Sequence, residues 1–122
     1  MKKVAVIRRA SFNAAHKLWN NDWSIEKNKE VFGLCANENF HGHNYTIEVK
    51  IIGEIQAETG YVIDLKIIKD IIKDEIEARF DHKNLNLDTT EFSQLNPTAE
   101  NMVVVIYDLI RKRLDAQYDL FI

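Results

Sequence analysis

The sequence has few of the features that mark disulfide-rich, nucleic-acid-binding or membrane proteins. It contains one cysteine, so no disulfide can form within the chain, which is typical of a reducing compartment. Its 16 basic and 19 acidic residues give a net charge of −3, and this balance does not indicate a nucleic-acid partner. No apolar segment approaches the length of a membrane span or of a signal-peptide core. We therefore expect a cytoplasmic protein without nucleic-acid or membrane partners.

The remaining composition is that of an ordinary globular protein. The chain has 122 residues, of which 46% are hydrophobic, and no internal repeat or low-complexity segment is visible. This length suits one domain with a real core. We therefore treat residues 1–122 as a single domain.

The first half of the chain predicts two strands, a long loop and a helix. Residues 3–17 and 43–54 have the β-branched pattern of strands. Residues 19–40, rich in asparagine and charged side chains, are predicted to form a long functional loop. A first helix is predicted after Asp64 as N-cap, with its apolar face formed by Leu65, Ile68, Ile71, Ile72, Ile76 and Phe80.

The second half predicts another loop and another helix. Residues 81–96 form the loop, Pro97 takes the first helical position and Glu100 lies in the first turn. The apolar face of this second helix comprises Met102, Val105, Ile106, Leu109, Ile110 and Leu114. Residues 117–122 begin a further strand. The pattern predicts an α+β fold: an antiparallel sheet with two helices packed on one face. Its open edges favour oligomerisation.

Three histidines form a candidate metal site. His41 and His43 are separated by one residue, so on a strand both imidazoles project from the same face. With His16 they provide three ligands and leave a fourth position open, as in catalytic zinc sites. Gly42, between the pair, allows backbone and metal to approach closely. The alternative is that these are ordinary surface or core histidines.

Cys35 is a candidate base. It lies six residues before His41 in a polar segment, and a nearby metal ion lowers the pKa of a thiol. Two alternatives stay open. Cys35 could be the fourth ligand of a closed structural site, or a buried small hydrophobic residue.

Two acidic residues are further candidates. Asp81 directly precedes His82, and a carboxylate that orients an imidazole makes a proton shuttle near neutral pH. The alternative for this pair is a turn that closes the first helix.

Glu100 either stabilises the start of the second helix or accepts hydrogen bonds from a ligand.

The sequence resembles the family of 6-pyruvoyl- and 6-carboxy-tetrahydropterin synthases. The resemblance covers nearly the whole chain in the right order and is carried by the segments FNAAH (12–16), Cys35 with HGHNY (41–45), GYVIDL (60–65), DHKNLN (81–86) and PTAEN (97–101). It implies the tunnelling fold (T-fold), in which subunits join into a barrel, usually a homohexamer built from two trimers.

The resemblance also implies roles for the candidate residues. The substrate would be 7,8-dihydroneopterin triphosphate, and the three histidines would hold Zn²⁺ against its side-chain oxygens. Cys35 would be the base, Asp81 and His82 the proton relay, and Thr98 and Glu100 would contact the substrate. The pocket would lie between subunits, with the relay supplied by a neighbour.

Two features of the resemblance bear on the product. The wide spacing from Cys35 to His41 is similar to the pyruvoyl type, but chains of similar appearance are commonly of the carboxy type. We therefore expect 6-carboxy-5,6,7,8-tetrahydropterin, formed with loss of triphosphate and acetaldehyde in queuosine-type deazapurine synthesis. The alternative is the 6-pyruvoyl product of tetrahydrobiopterin synthesis.

The end of the chain suggests a second alternative. In the family, a full last strand carries a glutamate that anchors the pterin, whereas this chain stops at residues 118–122, where that strand begins. The expectation is a truncated or frameshifted T-fold domain without the anchor. It would then be an inactive zinc-binding relic.

Overall fold

Two long strands build the sheet on which the candidate site depends. The protein is described here by a computed structural model, which covers residues 2–122. Strands β1 (Lys3–His16) and β2 (His41–Glu54) pair antiparallel along their whole length, from Lys3 opposite Glu54 to His16 opposite His41. β2 therefore begins two residues before the predicted strand, and its first residue is one of the candidate ligands.

Within residues 2–122, the sheet has four strands in the order β3-β1-β2-β4. β4 (Asp119–Phe121) pairs antiparallel with the part of β2 from Lys50 to Ile52, which confirms a strand in the tail. β3 (Lys83–Asn84) pairs parallel with β1. The sheet is thus mixed rather than purely antiparallel, because the chain returns from the first predicted helix alongside β1 in the same direction.

The first predicted helix is present, but it is not a uniform α-helix. α2 (Leu65–Ile72) continues into a π-helical turn at Lys73–Glu77 and ends in α3 (Ala78–Phe80). Asp64 is its N-cap, as predicted, and its carboxylate accepts a hydrogen bond from the backbone N–H of Lys66 at 2.9 Å.

The second predicted helix is α5 (Ala99–Arg111). Its N-cap is Thr98, whose hydroxyl accepts a hydrogen bond from the backbone N–H of Asn101 at 3.1 Å. Pro97 therefore lies one residue before the cap, and its predicted place at the first helical position is wrong. Glu100 lies in the first turn, as predicted.

Both helices cover one face of the sheet. Buried residues alternate with exposed ones along β1 and β2, and the buried side forms one core with residues of α2, α3 and α5. This confirms the α+β fold with its helices on a single face. Leu65, predicted in the core, is an exception at 49% exposure. Within residues 2–122, no helix is both long enough and apolar enough to cross a membrane.

The two predicted loops contain short helices. α1 (Ile25–Phe32) and a 3-10 turn (Gly33–Ala36) lie within residues 19–40, and α4 (Leu85–Asp88) lies within 81–96. The prediction of an irregular loop is therefore wrong for these segments. The residue that α1 buries is polar, Asn28, so the helix lacks the apolar face by which a surface helix is recognised.

Candidate metal centre and proton relay

Strand register brings the three candidate ligands together. His16 at the end of β1 lies directly opposite His41 at the start of β2, and Ala14 lies opposite His43. All three imidazoles project from the helix-covered face at one end of the sheet. One nitrogen from each ring can be chosen such that all lie within 4.8 Å of one another. This is the spacing that ligands of one ion require.

Backbone and side-chain partners fix the orientation of His16. Its Nδ1 atom lies 2.9 Å from the carbonyl oxygen of Pro97 and 3.2 Å from the hydroxyl of Tyr45. Because a carbonyl oxygen can only accept, Nδ1 carries the proton and donates it to Pro97. The lone pair of Nε2 therefore points toward the other two histidines. A metal-ligating histidine commonly has such an outer partner.

The contacts of His41 fit a bound cation. Its Nε2 atom faces that of His16 at 3.0 Å, an arrangement that requires a proton or a positive ion shared between two lone pairs. Its Nδ1 atom is buried and has no hydrogen-bond partner within residues 2–122, which is costly for a polar atom unless another group contacts it. The residues present therefore fit a metal ion.

The electrostatics of the cluster favour neutral ligands. Burial lowers the pKa of His16, and the charges of His41 and His43 lower it further, against the opposing effect of the Pro97 hydrogen bond. Burial and the charge of His43 likewise lower the pKa of His41. Only the neutral imidazole binds a metal, so these shifts keep the ligands available.

Cys35 lies near the cluster but outside it. It is half-buried in the 3-10 turn, and its carbonyl oxygen accepts a hydrogen bond from the backbone N–H of Leu18 at 2.7 Å. Burial, followed by the charge of Cys35, raises the pKa of Tyr45 to about 12. Within residues 2–122, the group of potential ligands contains the three histidines and no thiol. The structure therefore does not bring Cys35 into the ligand group as a fourth member.

Asp81 and His82 lie at the edge of β1 that faces away from β2, and their side chains contact each other. The carboxylate of Asp81 lies 3.0 Å from Nδ1 of His82 and accepts the backbone N–H of Asn13, also at 3.0 Å. The Asn13 hydrogen bond, followed by the contacts with His82, lowers the pKa of Asp81. His82 has a left-handed backbone (φ 60°), and its N–H donates to the carbonyl oxygen of Asn13. The imidazole remains exposed to solvent at its far side.

One cavity is lined by the relay imidazole and by residues at the histidine-bearing end of β1 and β2. It has a volume of about 460 Å³ and is lined by His43 and His82 together with Asn13, Asn44, Lys83 and neighbouring backbone. Cys35, Thr98 and Glu100 are not among its lining residues. His43 and His82 therefore line one cavity within one chain, but its lining residues Asn13 and Asn44 lie on the sheet face opposite to the three imidazoles. The thiol and the two candidate substrate contacts lie elsewhere.

The residues around Thr98 connect α5 to the metal centre. Thr98 follows Pro97, whose carbonyl oxygen orients His16, whereas Glu100 is exposed and outside the histidine cluster. Sequence reasoning missed Pro97 and Tyr45 as partners of His16. Tyr45 could have been found, since it lies two residues beyond His43 and shares its strand face. The Pro97 contact depends on tertiary packing and had no signal in the sequence.

The chain is similar to known proteins of one family. A family model described as 6-pyruvoyl tetrahydropterin synthase matches residues 5–121. The 6-pyruvoyl tetrahydrobiopterin synthase of Homo sapiens is 42% identical over 112 residues, which cover 92% of this chain and 77% of that protein. The 6-carboxy-5,6,7,8-tetrahydropterin synthase of Rickettsia typhi is 30% identical over 134 aligned positions. The alignment covers 98% of this chain and 88% of that protein.

A solved structure agrees as well. The 6-pyruvoyl tetrahydropterin synthase of Caenorhabditis elegans superposes with a TM-score of 0.88 at 30% identity, covering 99% of this chain and 96% of that one. The T-fold predicted from the sequence is thereby confirmed. The match over nearly all of the chain, in sequence and in structure, means that the protein belongs to the 6-pyruvoyl tetrahydropterin synthase family.

Proposed function

We propose that the protein is a zinc-dependent lyase that converts 7,8-dihydroneopterin triphosphate to 6-pyruvoyl-tetrahydropterin with release of inorganic triphosphate. The observation that carries this proposal is the cluster of three histidine nitrogens within 4.8 Å, found in a member of this lyase family. Three imidazoles without a carboxylate or thiolate suit Zn²⁺ with an open coordination position.

Similarity to known enzymes supports the pyruvoyl product rather than the carboxy product that we expected from the sequence. The human pyruvoyl enzyme shares 42% identity with this chain, and the carboxy enzyme of Rickettsia typhi shares 30%. The wide spacing between Cys35 and His41 supports the same choice. The carboxy product remains the competing outcome of the experiment below.

The chain's own residues supply binding and proton transfer. When bound, Zn²⁺ acts as a Lewis acid on the side-chain oxygens of the substrate and so acidifies the adjacent C–H bonds. Cys35 as thiolate removes a proton from the side-chain carbon, and His82 exchanges protons with the substrate oxygen or carbon while Asp81 orients its ring. Thr98 and Glu100 are proposed to contact the pterin.

The proposed active site requires more than one subunit. In one chain, the two cavities that His82 lines do not include Cys35. We therefore propose that the relay of one subunit faces the thiol of a neighbour in a homohexamer, as the family resemblance implies.

Product analysis tests the proposal. The purified zinc-loaded protein is incubated with 7,8-dihydroneopterin triphosphate, and pterins, triphosphate and acetaldehyde are measured by liquid chromatography and mass spectrometry. We expect 6-pyruvoyl-tetrahydropterin and one equivalent of triphosphate. Acetaldehyde with 6-carboxy-tetrahydropterin would assign the carboxy reaction instead. A protein with full zinc content that neither binds nor converts the pterin would be the relic.

A further inference from the structure

A second cavity lies beside the metal centre and has no part in the chemistry described above. Its volume is about 400 Å³, and its lining includes Lys17 and Phe40. Lys17 directly follows the ligand His16, and Phe40 directly precedes the ligand His41. Since those two ligands are register partners, the cavity begins one residue beyond the metal-binding end of the β1–β2 pair.

The lining of this cavity suits an anion. Lys17 is its one charged residue, and the other polar lining residues are neutral: Asn21, Asn86, Ser93, Gln94 and Asn96. The rest of the lining is apolar, and no carboxylate contributes to it. The chain as a whole carries 19 acidic residues and has a net charge of −3. A polar cavity with a cation and no acidic group is therefore a local exception to the charge of the protein.

Lys17 is held in place but its charge is not neutralised. The side chain of Asn86 accepts the backbone N–H of Lys17 at 2.8 Å and donates to its carbonyl oxygen at 2.9 Å. The ammonium group lies 4.4 Å from the centre of the Trp19 ring and 5.9 Å from that of Phe40. It forms no ion pair with a carboxylate within residues 2–122. Ring faces attract a cation more weakly than a phosphate oxygen does, so the ammonium can turn to an anion.

Hydrogen-bond donors are available next to this cation. The amide groups of Asn21 and Gln94 make no side-chain hydrogen bond within residues 2–122. Asn96 uses its side-chain oxygen to accept the backbone N–H of Trp19 at 3.2 Å, which leaves its NH₂ group free. Phosphate oxygens accept such N–H groups.

The backbone of Phe40 supports a functional role for this region. Phe40 has a φ of 66°, in the left-handed region that bulky residues rarely adopt. Its ring centre lies 5.9 Å from the Lys17 ammonium. Such strain is retained where the surroundings enforce it, often at ligand-binding sites.

We propose that this cavity binds a phosphate anion, with Lys17 as its charged contact and the amides of Asn21, Gln94 and Asn96 as donors. The inference rests on the proposed function in one respect. The anion would be either the triphosphate ester of the pterin substrate or the inorganic triphosphate that the reaction releases. Both present the same chemistry to Lys17.

Calorimetric titration with inorganic triphosphate tests the site without turnover. We expect Lys17→Met to weaken triphosphate binding about tenfold or more, because a charge-assisted hydrogen bond is lost, and Lys17→Arg to retain most of the affinity. Gln94→Glu should weaken it by placing a carboxylate in the cavity. Gln117→Glu adds the same charge outside the cavity and should leave the affinity unchanged. Zinc content is measured for every variant.

Two further measurements distinguish a failure of the proposed anion site from a failure of the proposed function. If the substrate ester uses the cavity, Lys17→Met raises its KM, and dihydroneopterin without phosphate binds wild type and variant equally. Triphosphate binding that depends on Lys17 in a protein without turnover would keep the anion site and reject the proposed function. Equal triphosphate affinity in wild type, Lys17→Met and Gln94→Glu would overturn the anion site, even if the enzyme were active.

Discussion

At the scale of single residues, each imidazole of the metal centre has a different support. His16 is buried and oriented by the carbonyl oxygen of Pro97, whereas His41 is half-buried and His43 is exposed. His16 therefore depends on α5 as well as on the sheet, because Pro97 directly precedes its N-cap. A change in either element would alter the position of the His16 imidazole.

The first prediction concerns the three ligands. His16→Ala, His41→Ala and His43→Ala should each reduce zinc affinity by more than the roughly 10–100-fold lost when an outer partner of a ligand is removed. Two imidazoles cannot define a tetrahedral site. Metal analysis after dialysis gives the zinc content, with His82→Ala as the matched control that retains it. Full zinc content in His41→Ala would refute the assignment.

The second prediction concerns the thiol. Cys35→Ala should keep its zinc and its melting temperature but lose turnover by about a hundredfold or more, the usual effect of removing a general base. A fourth ligand would behave differently, since its removal releases zinc and destabilises the fold together. Zinc content, thermal melting and product formation are measured on the same preparation.

Sequence patterns predicted the cluster of three histidines better than the hydrogen-bond partners of its members. The spacing of His41 and His43 follows from strand periodicity, and antiparallel pairing then brings His16 opposite them. The hydrogen bond from His16 to Pro97 joins residues 81 positions apart. No local pattern carries that information.

At the scale of secondary-structure elements, α1 shows why the predicted loop was wrong. Ser24 caps the helix by accepting the N–H of Lys27 at 3.1 Å, and Glu26 lies in the first turn. These start signals were present in the sequence. The buried position, however, is occupied by Asn28, so hydrophobic periodicity gave no evidence of a helix.

The third prediction tests the polar anchor of α1. The side chain of Asn28 accepts the N–H of Asn20 and donates to the carbonyl oxygens of Asn20 and Ser24, at 2.7–3.0 Å. Asn28→Ala leaves these groups without partners and should lower the free energy of unfolding by about 1–3 kcal/mol. Urea denaturation measures the change. Asn39→Ala, at an exposed position, is the control; an equal effect of both substitutions would contradict the prediction.

A charge network connects the π-helical turn and α3 with Arg113, two residues after the end of α5. Glu75 accepts hydrogen bonds from Arg79 and Arg113, at 3.0 and 3.2 Å, and Arg79 also reaches Glu91 at 2.8 Å. The hydrogen bond from Arg113, and then the contacts with Arg79, lower the pKa of Glu75. The ionised carboxylate is thus more favourable in the folded than in the unfolded chain. Its contribution is present above the ordinary pKa and is lost as the pH falls through the lowered one.

The fourth prediction follows from that sign. Glu75→Gln should destabilise the protein at pH 7 by at most about 1 kcal/mol, since the pairs are partly solvent-exposed. The difference from wild type should shrink as the pH is lowered to 4 and below. Urea denaturation at several pH values measures it, with the exposed Glu30→Gln as control. A pH-independent difference would mean that packing, rather than charge, explains the loss.

At the scale of the whole molecule, the sheet presents long unpaired edges. β4 pairs with β2 only at Lys50, Ile51 and Ile52, so within residues 2–122 the part of β2 from His41 to Val49 has no neighbour on that side. β3 pairs with only Ala14 and Ala15 of β1. Unpaired strand edges tend to pair with another chain. The sequence predicted these edges but not which chain covers them.

The fifth prediction is therefore an assembly. The purified protein should sediment as an oligomer, and the family resemblance specifies six subunits. Sedimentation velocity over a range of micromolar concentrations, with native mass spectrometry for the subunit number, measures it. A stable monomer across this range would contradict both the assembly and an active site shared between subunits.

The pairing of His16 with His41 at the last rung of the β1–β2 ladder has a consequence for how the protein reaches its native state. A slip of one residue would turn one strand's side chains to the opposite face and separate His16 from the other two imidazoles. The complete ligand set forms only when the ladder has closed in register to its end. Zinc uptake during refolding would accordingly report a late event. A bound metal would then stabilise the chain in which the two strands are correctly aligned.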